Sequence, residues 1–86
     1  MTVSTPKNPV PLSSLRPGAE AEVVSVDPAL ALGRRLLDLG FVPGTRVRVL
    51  RVAPLGDPTA YELRGTQLCL RRGEAAQILV RTAAPA

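Results

Sequence analysis

The stretch Asp27–Gly44, DPALALGRRLLDLGFVPG, decides how the rest of this 86-residue chain is read. It carries the marks of one short helix with both ends signalled. Asp27 is placed to accept the first orphaned backbone N–H groups, and Pro28 suits a first helical position because its missing N–H costs nothing there. Gly40 is placed for a left-handed C-terminal residue, and Pro43 forbids continuation. Leu32, Leu36 and Leu39 fall at i, i+4 and i+7, with Leu37 widening the apolar stripe, while Arg34, Arg35 and Asp38 share the other side. The expectation is an amphipathic helix of about three turns.

Working outward, the flanks read as strands. Upstream, Arg16-Pro17-Gly18 is a turn, and Ala19–Val26 (AEAEVVSV) alternates with Glu20, Glu22 and Val24 on one face and Ala21, Val23 and Ser25 on the other. Leu12–Leu15 suits one turn packed on the domain edge. Downstream, Thr45–Ala53 (TRVRVLRVA) places Val47 and Val49 opposite Arg46 and Arg48, but Leu50 and Val52 switch parity, which predicts a bulge or a sharply curving strand. Pro54–Pro58 (PLGDP) is a stiff loop. Thr59–Leu63 and Gln67–Arg71 form a hairpin around Arg64-Gly65-Thr66, with Tyr61 and Leu63 facing Leu68 and Leu70. Gly73–Gln77 gives a single helical turn, and Ile78–Val80 a last strand.

At 86 residues this is one domain: a lead-in over 1–11, the folded unit over 12–81 and a tail over 82–86. Five short strands with one helix inserted between the first two exceed what a flat sheet can bury at this size, so the expected fold is mainly β, a small and strongly bent barrel. Apolar residues make up 45% of the chain and aromatics 2%, so the core is aliphatic. Phe41 and Tyr61, the two aromatic residues, sit in apolar patterns, which leaves no stacking platform for single-stranded nucleic acid.

The net charge is +4, and ten of the eleven basic residues are arginine, spread along the chain rather than clustered. A basic nucleic-acid-binding barrel is the rival reading and predicts steeply salt-dependent affinity. Cys69 stands alone in an alternating context and reads as a packed strand thiol, consistent with a reducing compartment. No apolar run approaches a membrane span and no signal-peptide pattern opens the chain, so the expected location is cytoplasmic, without membrane insertion.

The segments LSSLRPGAEAEVVSV (Leu12–Val26), RRLLDLGFVPGTRVRVL (Arg34–Leu50), APLGDP (Ala53–Pro58) and LRRGEAAQILV (Leu70–Val80), in this order, resemble the FeoA family. The resemblance covers nearly all of Pro11–Val80. It implies an SH3-like barrel with a helix between the first two strands. It also implies a role in bacterial ferrous iron uptake beside FeoB, a membrane permease with a cytosolic G-protein domain. Similar domains occur as interaction modules of metal-dependent repressors, an alternative that the absence of an upstream helix-turn-helix pattern disfavours.

Catalysis finds no support in the residues. The chain has no His to activate Cys69, no phosphate-binding glycine loop and no clustered carboxylates beyond Glu20 and Glu22, which read as a solvated face. No metal ligand set and no cofactor is expected on the same grounds. What remains is contact with a partner protein. Arg34, Arg35 and Asp38 on the helix are the first candidate surface, with Arg34–Asp38 able to pair at i, i+4. Leu55 and Asp57 on the proline-bracketed loop are the second. Self-association through an exposed aliphatic groove is a third reading, and recruitment to the inner face of the membrane would follow from docking on a permease.

Overall fold

The computed structural model describes residues 9–82 apart from Pro28. The lead-in up to Asn8 and the tail from Ala83 therefore lie outside the described residues, as does the expected role of Pro28. In chain order the elements are β1 (Val10–Pro11), a 3₁₀ turn (Leu12–Ser14), β2 (Glu20–Val26), α1 (Ala31–Leu39), β3 (Arg46–Val52), β4 (Thr59–Leu63), β5 (Thr66–Leu70), α2 (Arg72–Ala75) and β6 (Ile78–Thr82). The strands form one antiparallel sheet of six in the order β1-β6-β2-β3-β4-β5. That is one strand more than the pattern predicts. Val10 and Pro11 pair with Val80 and Leu79, so the last residues of the expected lead-in belong to the sheet, and Thr82 extends β6 opposite Ala21.

Two bulges bend the sheet. The first, between Val23 and Ser25, puts Ala21, Val23 and Val26 inside while Ser25 turns to solvent, correcting the face assigned to Ser25. The second, between Val49 and Arg51, is the feature that the parity switch in β3 predicts. Beyond it Leu50 is half-buried and Val52 lies at the surface. The interior is filled by aliphatic side chains from every strand after β1, closed by Leu12 at one side and by Phe41 and Tyr61, both nearly inaccessible.

The helix ends where the sequence predicts and begins later. Gly40 adopts φ 119°, its N–H bonds the Leu37 carbonyl and that of Phe41 bonds the Leu36 carbonyl at 3.1 Å, a Schellman arrangement, and Phe41 and Leu36 both lie in the core. At the other end the Asp27 carboxylate accepts from the Ala29 N–H at 2.9 Å and the Asp27 carbonyl from Leu30 N–H. These bonds close a turn before α1, so Leu30 rather than Asp27 flanks the first helical residue, and it provides no side-chain cap. Gly33 is buried because the Asp27 carbonyl packs directly on its Cα. Leu36 is buried, and Leu32 and Leu37 pack against the core. Leu39 is 47% exposed, since the stripe rotates off the core in the last turn.

The hairpin turn has two residues, not three. Arg64 (φ 54°) and Gly65 (φ 80°) form it, so Thr66 pairs with Leu63 and Leu70 with Thr59, while Tyr61 faces Leu68 as expected.

Candidate functional site

The outer face of β2, β3 and β4 carries an ion ladder. In register, Glu22 lies between Arg81 and Arg46, and Arg48 lies between Glu20 and Glu62. Glu20 reaches Arg48 at 3.3 Å and Arg46 at 3.6 Å, and Glu62 reaches Arg48 at 3.9 Å. These side chains are well hydrated, so each pair contributes about 0–1 kcal/mol. Their consequence is chemical rather than energetic: the two arginines of this face are already paired. The sequence reading took the glutamates as a solvated face and missed the arginine partners, which only the strand register brings alongside.

Arg34, Arg35 and Asp38 do share the exposed side of α1. Among the described residues no ion pair joins Arg34 to Asp38. Leu30 and Leu39, each 47% exposed, flank the charged group with apolar surface.

The loop Ala53–Pro58 holds its two candidates differently. Leu55 is 96% exposed, a bare aliphatic side chain at the tip. Asp57 is tied down: its carboxylate accepts from the Arg72 N–H at 2.9 Å, satisfying a donor in the first turn of α2. Its role is to join the β3–β4 loop to α2, which the sequence reading did not foresee because Asp57 and Arg72 are fifteen positions apart. Glu74 completes that turn by accepting from the Arg71 N–H at 2.8 Å.

These two patches are not one surface. The C-terminus of α1 meets Leu63, and Leu63 pairs with Val47 at the start of β3. The Ala53–Pro58 loop leaves from Val52 at its far end. The strand from Val47 to Val52, six residues, separates the two by roughly 17 Å along its length.

Cys69, expected to be packed, is exposed. The pleat that sends Leu68 and Leu70 inward sends Cys69 outward, where it lines an apolar cleft of about 300 Å³ with Val52, Ala53, Pro54, Pro58 and Ala60, and with Arg51 at the rim. No group of three or more His, Cys, Asp or Glu side chains comes together among the described residues. None of the helices is long and apolar enough to cross a membrane, again among the described residues.

The described residues form a small, bent antiparallel barrel whose surface carries exposed arginines, an aliphatic loop tip and a ladder of paired charges. The FeoA domain family matches residues 10–82, and the chain belongs to that family. A Porphyromonas gingivalis protein named as a fusion of Fe(2+) transport protein A with the Fe(2+) transporter FeoB is 39% identical over 69 residues. That match covers 80% of this chain and only 8% of the longer protein. A FeoA-like protein from Clostridium acetobutylicum, solved by NMR, superposes with TM-score 0.87 at 32% identity over 94% of each chain. FeoA from Stenotrophomonas maltophilia, solved with zinc and described as a prokaryotic SH3 domain protein, gives TM-score 0.72 at 37% identity over 80% of this chain and 86% of that one. The fold is therefore SH3-like, as the resemblance implies.

Proposed function

We propose that this chain is a cytosolic accessory protein of bacterial ferrous iron uptake. In this reading it docks on the cytosolic part of a FeoB-like GTPase-permease and alters its nucleotide cycle or its gating. The observation that carries the proposal is the Porphyromonas gingivalis relative, in which the FeoA and FeoB parts are one polypeptide. Joining two modules in one chain raises their mutual concentration to the millimolar range, an arrangement that serves parts which act on each other. The description of the Stenotrophomonas protein as a candidate activating factor of ferrous iron transport points the same way.

In this reading the exposed side of α1 is the docking face. Arg34 and Arg35 offer planar forks for partner carboxylates, Asp38 adds an acceptor, and Leu30 and Leu39 supply apolar flanks. Leu55 is a second contact for a partner large enough to span both ends of the barrel. The proposal assigns the domain no ion of its own; equilibrium dialysis with Fe(II) that revealed a stoichiometric micromolar site would overturn that part.

The test is charge reversal, Arg34→Glu with Arg35→Glu. Both side chains are exposed, so the fold should keep its stability within about 0.5 kcal/mol while affinity for the permease falls about tenfold or more. Undiminished co-purification of the permease with a folded double variant would remove α1 as the docking face. Failure of the wild-type chain to co-purify would remove the docking itself.

A further inference from the structure

β5 is the last strand of the sheet, and among the described residues it pairs with β4 alone. The two-residue Arg64-Gly65 turn determines which of its backbone groups are in use. Leu63 and Thr66 flank the turn as a hydrogen-bonded pair, so Tyr61–Leu68 and Thr59–Leu70 are bonded as well, and the intervening Glu62–Gln67 and Ala60–Cys69 pairs are not. Gln67 and Cys69 therefore direct their N–H and C=O groups out of the sheet, two donors and two acceptors at the spacing that another extended chain matches. The row stops at Arg71, whose N–H goes to Glu74 and whose carbonyl accepts from Glu74 and Ala75.

The usual devices that close such an edge are missing from β5. Its sequence, TQLCL, has no proline and no charge, and its pairing with β4 is free of bulges. The charges stand at its two ends instead: Arg64 in the turn, and Arg71 and Arg72 beyond Leu70, all exposed. No ion pair engages any of the three among the described residues. Arg64 holds a left-handed backbone conformation that glycine or asparagine would adopt with less strain.

We propose that this edge accepts, by strand addition, an extended segment of a partner protein whose uncharged middle is bracketed by acidic residues. The end charges argue against a second copy as occupant. In the antiparallel register that pairs the strand with itself about Leu68, the Arg64 turn of each copy comes beside Arg71 and Arg72 at the end of the other's strand, and like charges brought together at both ends repel. Carboxylates at the ends of the added strand remove that conflict. On the outer face, a side chain beside Cys69 adjoins the apolar cleft formed with Ala60, Val52 and Pro58, so an apolar residue fits between the acidic ends. The assignment deepens the docking function proposed above by naming the chemistry of a bound segment.

The test needs no permease. The full chain, labelled with nitrogen-15, is titrated with a nine-residue peptide of alternating valine and threonine carrying two carboxylates at each end, and with a twin whose carboxylates are replaced by lysines. The acidic peptide is expected to shift the Gln67 and Cys69 amides, to bind about tenfold more tightly than the lysine twin, and to weaken in high salt. Gln67→Pro removes an outward N–H that the barrel does not use and should abolish binding. Arg64→Gln with Arg71→Gln leaves the backbone intact and should lower affinity, which keeps the test decisive should the proline variant fail to fold. Equal binding of both peptides, shifts centred on α1, absence of saturable binding, or an unchanged affinity of the arginine double variant would each overturn the assignment. Docking on the permease is judged separately by co-purification.

Discussion

Gly33 sits within α1 at a position where general helix chemistry recommends alanine, since Gly→Ala in a helix interior gains about 1 kcal/mol. Here the opposite is expected. A Cβ built on Gly33 falls 2.8 Å from the Asp27 carbonyl carbon and closer still to its oxygen, with Val26 Cγ1 at 3.5 Å. The obstruction is backbone, held by the turn that Asp27 makes with Ala29 and Leu30, so it cannot swing away as a side-chain tip would. Either α1 lifts from the end of β2 or the turn opens. Overpacking of this kind costs about 1–3 kcal/mol, and a rigid neighbour places it at the upper end. Against a propensity gain of about 1 kcal/mol, Gly33→Ala should lose about 2 kcal/mol, a fall in Tm of about 8–16 °C for a domain of this size. Gly73→Ala is the internal control: α2 leaves nothing within 4 Å of a Cβ there, so that variant should hold or raise Tm. Thermal unfolding followed by circular dichroism measures both. A Gly33→Ala protein as stable as wild type would refute the packing described for α1.

Three other outcomes are expected. Burial pushes the Tyr61 hydroxyl above its usual pKa of 10.0, so the folded state keeps a proton that the unfolded chain releases. The contribution of Tyr61 to stability should be constant below about pH 10 and then decline, by at most about 1.4 kcal/mol per pH unit, and this decline should flatten in Tyr61→Phe. As the chain has one Tyr and no Trp, tyrosinate absorbance reports this titration without interference, and ionisation at the usual pH would count against the burial. Asp57→Ala should cost about 1 kcal/mol by leaving the Arg72 N–H unpaired, whereas Asp57→Asn, which keeps an acceptor oxygen, should recover most of it in urea unfolding. Arg34→Glu with Arg35→Glu should leave Tm within a few degrees while weakening permease binding, as argued above.

Most of the fold was legible because its signals are local. Gly40 and Pro43 mark a helix end through backbone conformation alone, and the parity switch after Val49 marks a bulge through side-chain alternation alone. What the sequence hid depends on long-range partners. β1 is two residues that become a strand only because β6 lies beside them. Asp27 looked like a helix cap, but a carboxylate can equally close the turn before a helix, and the Asp27 carbonyl packing on Gly33 selects the turn. Thr66 belongs to the strand and not to the turn because Arg64 takes up positive φ, a conformation that its side chain does not signal. Of the candidate site, the exposure of Arg34, Arg35, Asp38 and Leu55 followed from periodicity and loop composition. The engagement of Asp57, the outward Cys69 and the arginine partners of Glu20 and Glu62 required register, which single-strand patterns do not contain.

The ladder on β2, β3 and β4 also changes what the formal charge of +4 means to an approaching molecule. Adjacent opposite charges produce a dipolar field, which fades with distance faster than that of an isolated cation and is further damped by salt within about 10 Å. From afar that broad flank is electrically quiet, and the pull on an anionic visitor comes from the arginines that lie outside it. That flank is thus the side an anionic visitor is least drawn to before any contact is made.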